Sequence, residues 1–195
     1  EQIRSRFGPK AIPFQYPLQT GSGFNTIIDA LRMVMYVFPK DGGKPEKKAI
    51  PESEVGRAQA MHQVLVEAAA ENDESLMEKF FDEGNLSEEE LTKGLNIALS
   101  NQQIFPIFCA SGKLNMGSGR IMGFINDIGP SPADRPKPLS TKGDPIAPDS
   151  SAPVRVFIYK TISEPQVGNV SYFKVYSGTL RPGDDLINLA NSNHE

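Results

Sequence analysis

The sequence predicts an α/β fold followed by the opening strands of a partial β-barrel. Three observations carry that expectation. Apolar residues recur at steps of three and four between residues 55 and 98, the stripe of packed helices. A short apolar run at residues 104–109 leads through a small-residue loop into another helical pattern, which is one βα unit of a doubly wound sheet. Beyond a proline-rich stretch, apolar residues alternate at every second position, as in strands joined by glycine turns.

Residues 11–18 read as one strand with Ile12, Phe14 and Tyr16 on a single face, confined to a sheet edge by Pro13 and Pro17. Thr20-Gly21-Ser22-Gly23 is a turn. Residues 27–38, rich in Ile, Met, Val and Leu, read as a short helical turn running into a strand, which ends in a hairpin loop at Asp41-Gly42-Gly43-Lys44. Pro51 suits the first turn of a helix whose stripe is Val55, Ala58, His62, Leu65 and Ala69. Asn72-Asp73 caps a second helix with Leu76, Met77, Phe80 and Phe81 inward, and Gly84 closes it. Ser87 and Glu90 form a capping box for a third, carrying Leu91, Leu95 and Ala98. The run Ile104-Phe105-Pro106-Ile107-Phe108-Cys109 reads as a strand buried on both faces. Ser111-Gly112-Lys113-Leu114-Asn115 is the loop after it, and Ile121, Phe124, Ile125 and Ile128 mark the next helix. Residues 129–153 hold seven prolines and read as a linker. Strands follow around Val154, Val156 and Ile158, at residues 170–176, and at residues 186–189 after the Pro182-Gly183-Asp184 turn. Forty or so residues are few for a closed barrel.

With 38% hydrophobic and 23% charged residues, the composition is that of a soluble globular chain. No apolar run approaches the roughly 18 residues of a membrane span, so no membrane partner is expected. The opening Glu1-Gln2-Ile3-Arg4 has no apolar signal segment and no initiator Met, as expected of a piece excised from a longer chain. The single Cys109 fits a reducing cytoplasm. The net charge of −4 argues against a nucleic-acid-coating protein. It is unevenly spread: residues 52–90 hold twelve acids against only Arg57 and Lys79, a net −10, which leaves +6 elsewhere. Such a run is either a solvated helical face or a docking surface for a basic partner.

Catalytic chemistry is hard to find. No G-x-x-x-x-G-K-[ST] phosphate cradle is present, since Gly42-Gly43-Lys44 lacks the upstream glycine and a following Ser or Thr. Cys109 lies in an apolar strand and reads as an inert core thiol. His62 sits on a helical stripe with no second ligand at metal spacing and reads as a core residue; His194 lies near the end of the chain. Glu89 and Glu90 are adjacent on a helix and diverge, so they form no acid/base pair. Arg155, Lys160, Lys174 and Arg181 lie among aromatic residues, a weak electrostatic site.

Two stretches resemble elongation factor G. One runs from Leu65-Val66-Glu67-Ala68-Ala69-Ala70-Glu71 through Leu76-Met77-Glu78-Lys79-Phe80 and Leu86-Ser87-Glu88-Glu89-Glu90-Leu91 to Cys109-Ala110-Ser111 and Gly129-Pro130-Ser131-Pro132. The other is Phe173-Lys174-Val175-Tyr176-Ser177-Gly178-Thr179-Leu180-Arg181-Pro182-Gly183-Asp184. The likeness is weakest at residues 39–60 and in the linker. It implies that residues 1–129 are the C-terminal part of a P-loop-type G domain, with an inserted α+β G′ subdomain at about 11–100 and a return to the G domain at 104–129. Residues 130–152 would be the linker and 153–195 the N-terminal strands of the domain II β-barrel.

The resemblance also implies a function. The parent would be a GTPase that uses GTP and Mg²⁺ to drive tRNA–mRNA translocation on the ribosome, while this stretch, without P-loop, switch aspartate or Asn-Lys-x-Asp, would be inactive alone and bind no cofactor. Ser111, Gly112 and Lys113 resemble the family's guanine loop, whose backbone amide contacts the guanine carbonyl; Gly112 stands where the family usually has Ala. Read from the residues alone, the same segment is a plain βα turn. The family's first G′ helix meets the basic ribosomal stalk protein, but here its outer positions hold Gly56, Arg57, Gln59 and Ala60 rather than acids. A weaker or displaced contact, carried by Glu67, Glu71 and Glu74, is therefore expected. Domain II of the family faces ribosomal RNA. Strand edges left open in the partial barrel, together with the strand at 104–109 lacking its parallel neighbours, imply self-association. The alternative is a divergent ribosome-binding paralogue with little GTP hydrolysis; peptide release factor 3 and the ribosomal protection proteins are lesser alternatives.

Overall fold

A computed structural model describes residues 2–40 and 43–194. It is a mixed α/β structure with several small sheets and no closed barrel among the described residues, and it divides into two units at Pro130/Ser131.

The first unit starts with a short helix, α1 (Gln2–Phe7), and then β1 (Ala11–Pro13) and β2 (Gln15–Pro17). The single strand expected at residues 11–18 is thus broken at Phe14. Its halves join different sheets because Pro13 and Pro17 have no amide to extend one ladder. Phe14 bridges the two sheets: its amide donates to the Ile107 carbonyl at 2.9 Å and its carbonyl accepts from the Ala30 amide at 3.0 Å. β2 is the edge of an antiparallel sheet with β3 (Thr26–Asp29), β4 (Val34–Val37) and β5 (Glu46–Lys48), in the order β2-β3-β4-β5.

Residues 27–38 therefore correct the expected helical turn: they are a β-hairpin, with Ile28 opposite Met35 and a turn at residues 30–33. The apolar pattern misled because β3 is buried on both faces. Ile28 packs with Tyr16, Met35 and Ala58 of the next helix, and Ile27 packs on the opposite face with Phe38 and Met116. Apolar neighbours on consecutive residues erase the two-residue alternation of a half-buried strand. β4 and β5 pair antiparallel, so a hairpin joins them. Asp41 and Gly42 of that expected loop lie outside the described residues.

Three helices follow: α2 (Glu52–Ala70), α3 (Glu74–Glu83) and α4 (Glu88–Ser100). The caps are as local chemistry dictates. The Asp73 carboxylate accepts from the Ser75 and Leu76 amides at 3.0 and 3.3 Å. Gly84 ends α3 in the left-handed region, and Ser87 and Glu90 exchange both bonds of the capping box. α2 buries Ala58, Leu65, Val66, Ala68, Ala69 and Ala70, and α4 buries Leu91, Gly94, Leu95 and Ala98 against it. Phe81 corrects the sequence expectation, for it is 77% exposed. Adjacent helical residues diverge by roughly 100°, and Phe80 takes the side packed on the core.

β6 (Phe105–Ile107) and α5 (Ser118–Asp127) complete the unit. β6 is neither lone nor buried on both faces. It pairs in parallel with β1, Ala11 opposite Phe105 and Pro13 opposite Ile107, and Phe105 is 43% exposed. The apolar run packs mainly through residues flanking the strand: Ile104 is buried, and Phe108 stacks with Phe14 and Phe124 at centroid distances of 5.5 and 4.9 Å. That aromatic group joins Leu65, Leu95 and Ile128 in the main core.

In the second unit, β7 (Arg155–Glu164) and β8 (Gly168–Ser177) form a long hairpin with two register shifts. β9 (Ile187–Asn188) and β10 (Asn193–His194) form a separate two-stranded ladder. The proline-rich segment before β7 is irregular but not detached from the hairpin. The Gly178 amide donates to the Asp149 carbonyl at 2.8 Å, and the Ser177 hydroxyl to the Pro153 carbonyl at 2.8 Å.

Candidate functional site

The site begins where β6 ends. The chain leaves the strand at Ile107, makes a tight loop and enters α5 at Gly117. Ser111 and Met116 close the loop by exchanging two backbone hydrogen bonds, each 3.0 Å, and the Asn115 amide reaches the Gly112 carbonyl at 3.3 Å. Gly117 has φ +77, and a Cβ there would overlap the Cys109 carbonyl oxygen, so the two ends of the loop touch and only glycine fits the junction. Within this pinched loop Gly112 and Lys113 are exposed and Ser111 is half-buried. The Gly112 amide makes no hydrogen bond among the described residues. The Gly112 amide is thus a backbone donor at an exposed position of the loop, next to the start of a helix.

Beneath the loop lies a polar centre that the sequence did not single out. Asp29, at the end of β3, is 1% exposed. One of its carboxylate oxygens accepts from Gln15 Nε2 at 2.9 Å and from Arg120 Nε at 3.1 Å; the other accepts from the Arg32 amide at 3.0 Å. A buried carboxylate is tolerable only with such partners. Gln15 in turn accepts from the Cys109 amide through its side-chain oxygen at 3.4 Å. Arg32 turns outward and pairs with Glu88 and, at 3.0 Å, with Asp127. The signal that could have revealed this centre is Asp29 itself, a lone acid in the apolar run Ile27-Ile28-Asp29-Ala30.

The second candidate is the acidic face. Glu67, Glu71 and Glu74 are all exposed, and none makes an ion pair among the described residues. The nearby bases are committed elsewhere. Arg57 lies 4.0 Å over the Tyr16 ring and 3.8 Å from Glu54; Lys79 pairs with Glu90 at 2.7 Å; Lys93 pairs with Asp73 at 2.8 Å. The bond from Lys79, followed by those from Ser87, holds the Glu90 carboxyl down to about 2. Lys93 and then Ser75 hold the Asp73 carboxyl well below the usual range. Burial, then the bond to Glu54, pushes the Tyr16 hydroxyl up to about 12. An open groove of about 840 Å³ runs along α4, lined by Glu88, Glu89, Thr92, Lys93 and Asp127 among others, and contains none of the candidate residues.

The remaining residues hold ordinary places. His62 Nδ1 lies 2.8 Å from the Ala30 carbonyl, a satisfied half-buried histidine, while His194 sits 2.6 Å from Asp185 at the surface. Burial raises the Cys109 thiol, which disfavours the reactive thiolate. Lys160 and Lys174 lie 5.5 and 5.1 Å over the Tyr172 and Tyr176 rings. Among the described residues no group of three His, Cys, Asp or Glu could hold a metal ion, and no helix is long and apolar enough to cross a membrane.

No family model matches the sequence. The chain is similar to a solved protein of Thermus thermophilus, ttk003000868, with 29% identity over 97% of this chain and 26% of that one, at a TM-score of 0.75. The chain thus spans about a quarter of the length of the solved protein it matches, and the two share their fold over nearly all of this chain.

Proposed function

We propose that this chain is the middle portion of a translational GTPase of the elongation factor G type. In this reading, residues 111–113 meet the guanine base, residues 11–100 form the G′ subdomain that docks on the ribosomal stalk protein, and the β7–β8 hairpin begins domain II beside ribosomal RNA. GTP, Mg²⁺ and hydrolysis belong to the longer protein. The observation that carries the proposal is the exposed, uncommitted Gly112 amide, held on a pinned turn between β6 and α5. A backbone donor so placed can recognise a carbonyl on a flat base without any side chain.

The acidic face supports the docking part. Glu67 and Glu71 stand at the C-terminal end of α2, where the helix dipole makes negative charge unfavourable, and no base in the last turn offsets them. Acids placed against their own helix are better explained by an external basic partner. The exposed apolar residues of the hairpin, Phe157, Tyr159 and Phe173 among them, support self-association of the chain when it stands alone.

A second reading, a ribosome-binding paralogue with little GTP hydrolysis, is favoured by two departures: Gly112 in the loop, and the exposed Gly56, Arg57, Gln59 and Ala60 on the outer side of α2. Measuring GDP affinity and ribosome-dependent GTP hydrolysis of the longer protein decides between them. Gly112→Pro removes the amide and should weaken GDP binding roughly 2- to 10-fold, the worth of one hydrogen bond. Failure to bind any guanine nucleotide overturns the proposal. Tight binding without turnover establishes the second reading.

A further inference from the structure

We propose that Asp29 is a positioning residue for the loop at residues 109–117, acting as a clamp that grips both ends of it at once. The inference deepens the guanine-loop assignment and rests on it for its functional meaning.

A single carboxylate oxygen of Asp29 receives Gln15 Nε2 and Arg120 Nε, at 2.9 and 3.1 Å. These partners lead in opposite directions along the loop. Gln15 holds the entrance: its side-chain oxygen accepts from the Cys109 amide at 3.4 Å, and its backbone carbonyl lies 3.7 Å from Cys109 Sγ. Arg120 holds the exit, because it sits in the first turn of α5 just after Gly117. The loop between has an apolar anchor as well, for Met116 is 1% exposed and packs with Ile27 and Phe38 on the loop-facing side of the sheet. Gly112 and Lys113 remain at the exposed tip. The hairpin of β3 and β4 thus sets where the Gly112 amide stands. The other oxygen of Asp29, bound to the Arg32 amide at 3.0 Å, ties the same carboxylate to the β3–β4 turn. Arg32 itself reaches Glu88 at the start of α4 and Asp127 at the end of α5. Any contact that displaces the β3–β4 turn is therefore transmitted to the loop through one buried charge.

Backbone hydrogen exchange of the 195-residue chain, without nucleotide, tests the clamp. Asp29→Asn removes the charge and puts an NH2 donor where one carboxylate oxygen stood, facing another donor in either orientation, while Gln15→Leu removes the Gln15 arm, with its bonds to Asp29 and to the Cys109 amide, and leaves the Asp29–Arg120 pair in place. Both variants should speed exchange of the Cys109, Ser111 and Met116 amides at least about tenfold, while Leu65 and Leu95 in the helical core change less than about twofold. Unchanged loop exchange in Gln15→Leu overturns the clamp. So does equal acceleration of loop and core in Gln15→Leu, since that is the mark of a merely structural contact. Should Asp29→Asn fail to fold, Gln15→Leu still decides. In the longer protein, Gln15→Leu should raise the GDP dissociation constant several-fold. If the loop loosens but GDP affinity stays constant, the role of the clamp in holding a base is overturned. Failure of the parent protein to bind guanine nucleotides at all sinks the guanine assignment, and the exchange experiment still decides the clamp.

Discussion

Gly94 and Gly56 offer a test in which two physical effects of known size oppose each other. Both lie inside helices, Gly94 in α4 and Gly56 in α2, and neither has positive φ. Helix propensity alone favours alanine at either position by roughly 1 kcal/mol. Packing separates them. A Cβ on Gly94 would stand 2.5 Å from the Ala69 carbonyl oxygen, 2.8 Å from its Cβ and 2.9 Å from its carbonyl carbon. None of these is the end of a flexible side chain, so α2 and α4 must move apart and loosen Leu65 and Leu95, both fully buried. Overpacking of that kind costs about 1–3 kcal/mol before the propensity gain is set against it. Gly94→Ala should therefore be neutral to destabilising by up to about 2 kcal/mol. Gly56→Ala meets nothing within 4 Å and should stabilise by about 0.5–1 kcal/mol. Urea unfolding followed by far-UV circular dichroism reads both as midpoint shifts at constant slope. Stabilisation by Gly94→Ala equal to that by Gly56→Ala would refute the close approach of the two helices.

Glu90 should make the helical layer acid-sensitive. Its carboxyl is lowered from 4.5 to about 2 in the folded chain, so its stabilisation is complete above about pH 4.5 and lost as the pH falls through about 2. Glu90→Gln should flatten the loss of helical ellipticity across that window, and an unaltered acid profile would show that the Lys79 and Ser87 bonds do not matter. Reversing Glu67, Glu71 and Glu74 to Lys should slow association with the ribosomal stalk protein several-fold at low salt, with little change in folding; a rate that ignores both charge and salt would leave these acids as a solvated face. Limited trypsin should cut first at Lys142, exposed in the irregular segment before β7, whereas first cleavage at Lys79 or Lys93 would mark the helices as the loose part. The 195-residue chain alone should show no useful GDP affinity by titration calorimetry, since one amide cannot replace a phosphate cradle; a micromolar dissociation constant would contradict this.

What could be read from the sequence was chemistry whose partners lie within a turn of each other. Ser87 and Glu90 are three residues apart, Asp73 caps amides two and three residues on, and Gly84 needs only its own backbone, so each was visible in a window of a few residues. The periodic helices were visible for the same reason. The parallel pairing of β1 with β6 was not, because its partners come from opposite ends of the first unit and each strand is only three residues long. The β3–β4 hairpin failed differently: a strand packed between α2 on one side and the loop on the other loses the alternation that identifies strands.

The candidate site divides along the same line. Residues 111–113 were legible as a βα turn because a loop between a strand and a helix is a local pattern, their proposed role coming only from the resemblance, and the acids of α2 and α3 were legible because a charge run is local. Gln15, Asp29 and Arg120 were not, since nothing near Gln15 or Arg120 marks them as partners and Asp29 gains meaning only from its burial. Yet a constraint was present in composition alone. An acid inside an apolar strand must find a cation and hydrogen-bond donors, or the strand cannot be buried. In this chain the demand is met by an arginine from α5 and a glutamine from β2, the elements that flank the loop at its exit and beneath its entrance. The requirement that makes Asp29 tolerable in the core is thus the same one that fixes the exposed Gly112 amide in space. Loop position and core stability should therefore separate under Gln15→Leu, which spares the ion pair, and fail together under Asp29→Ala, which does not.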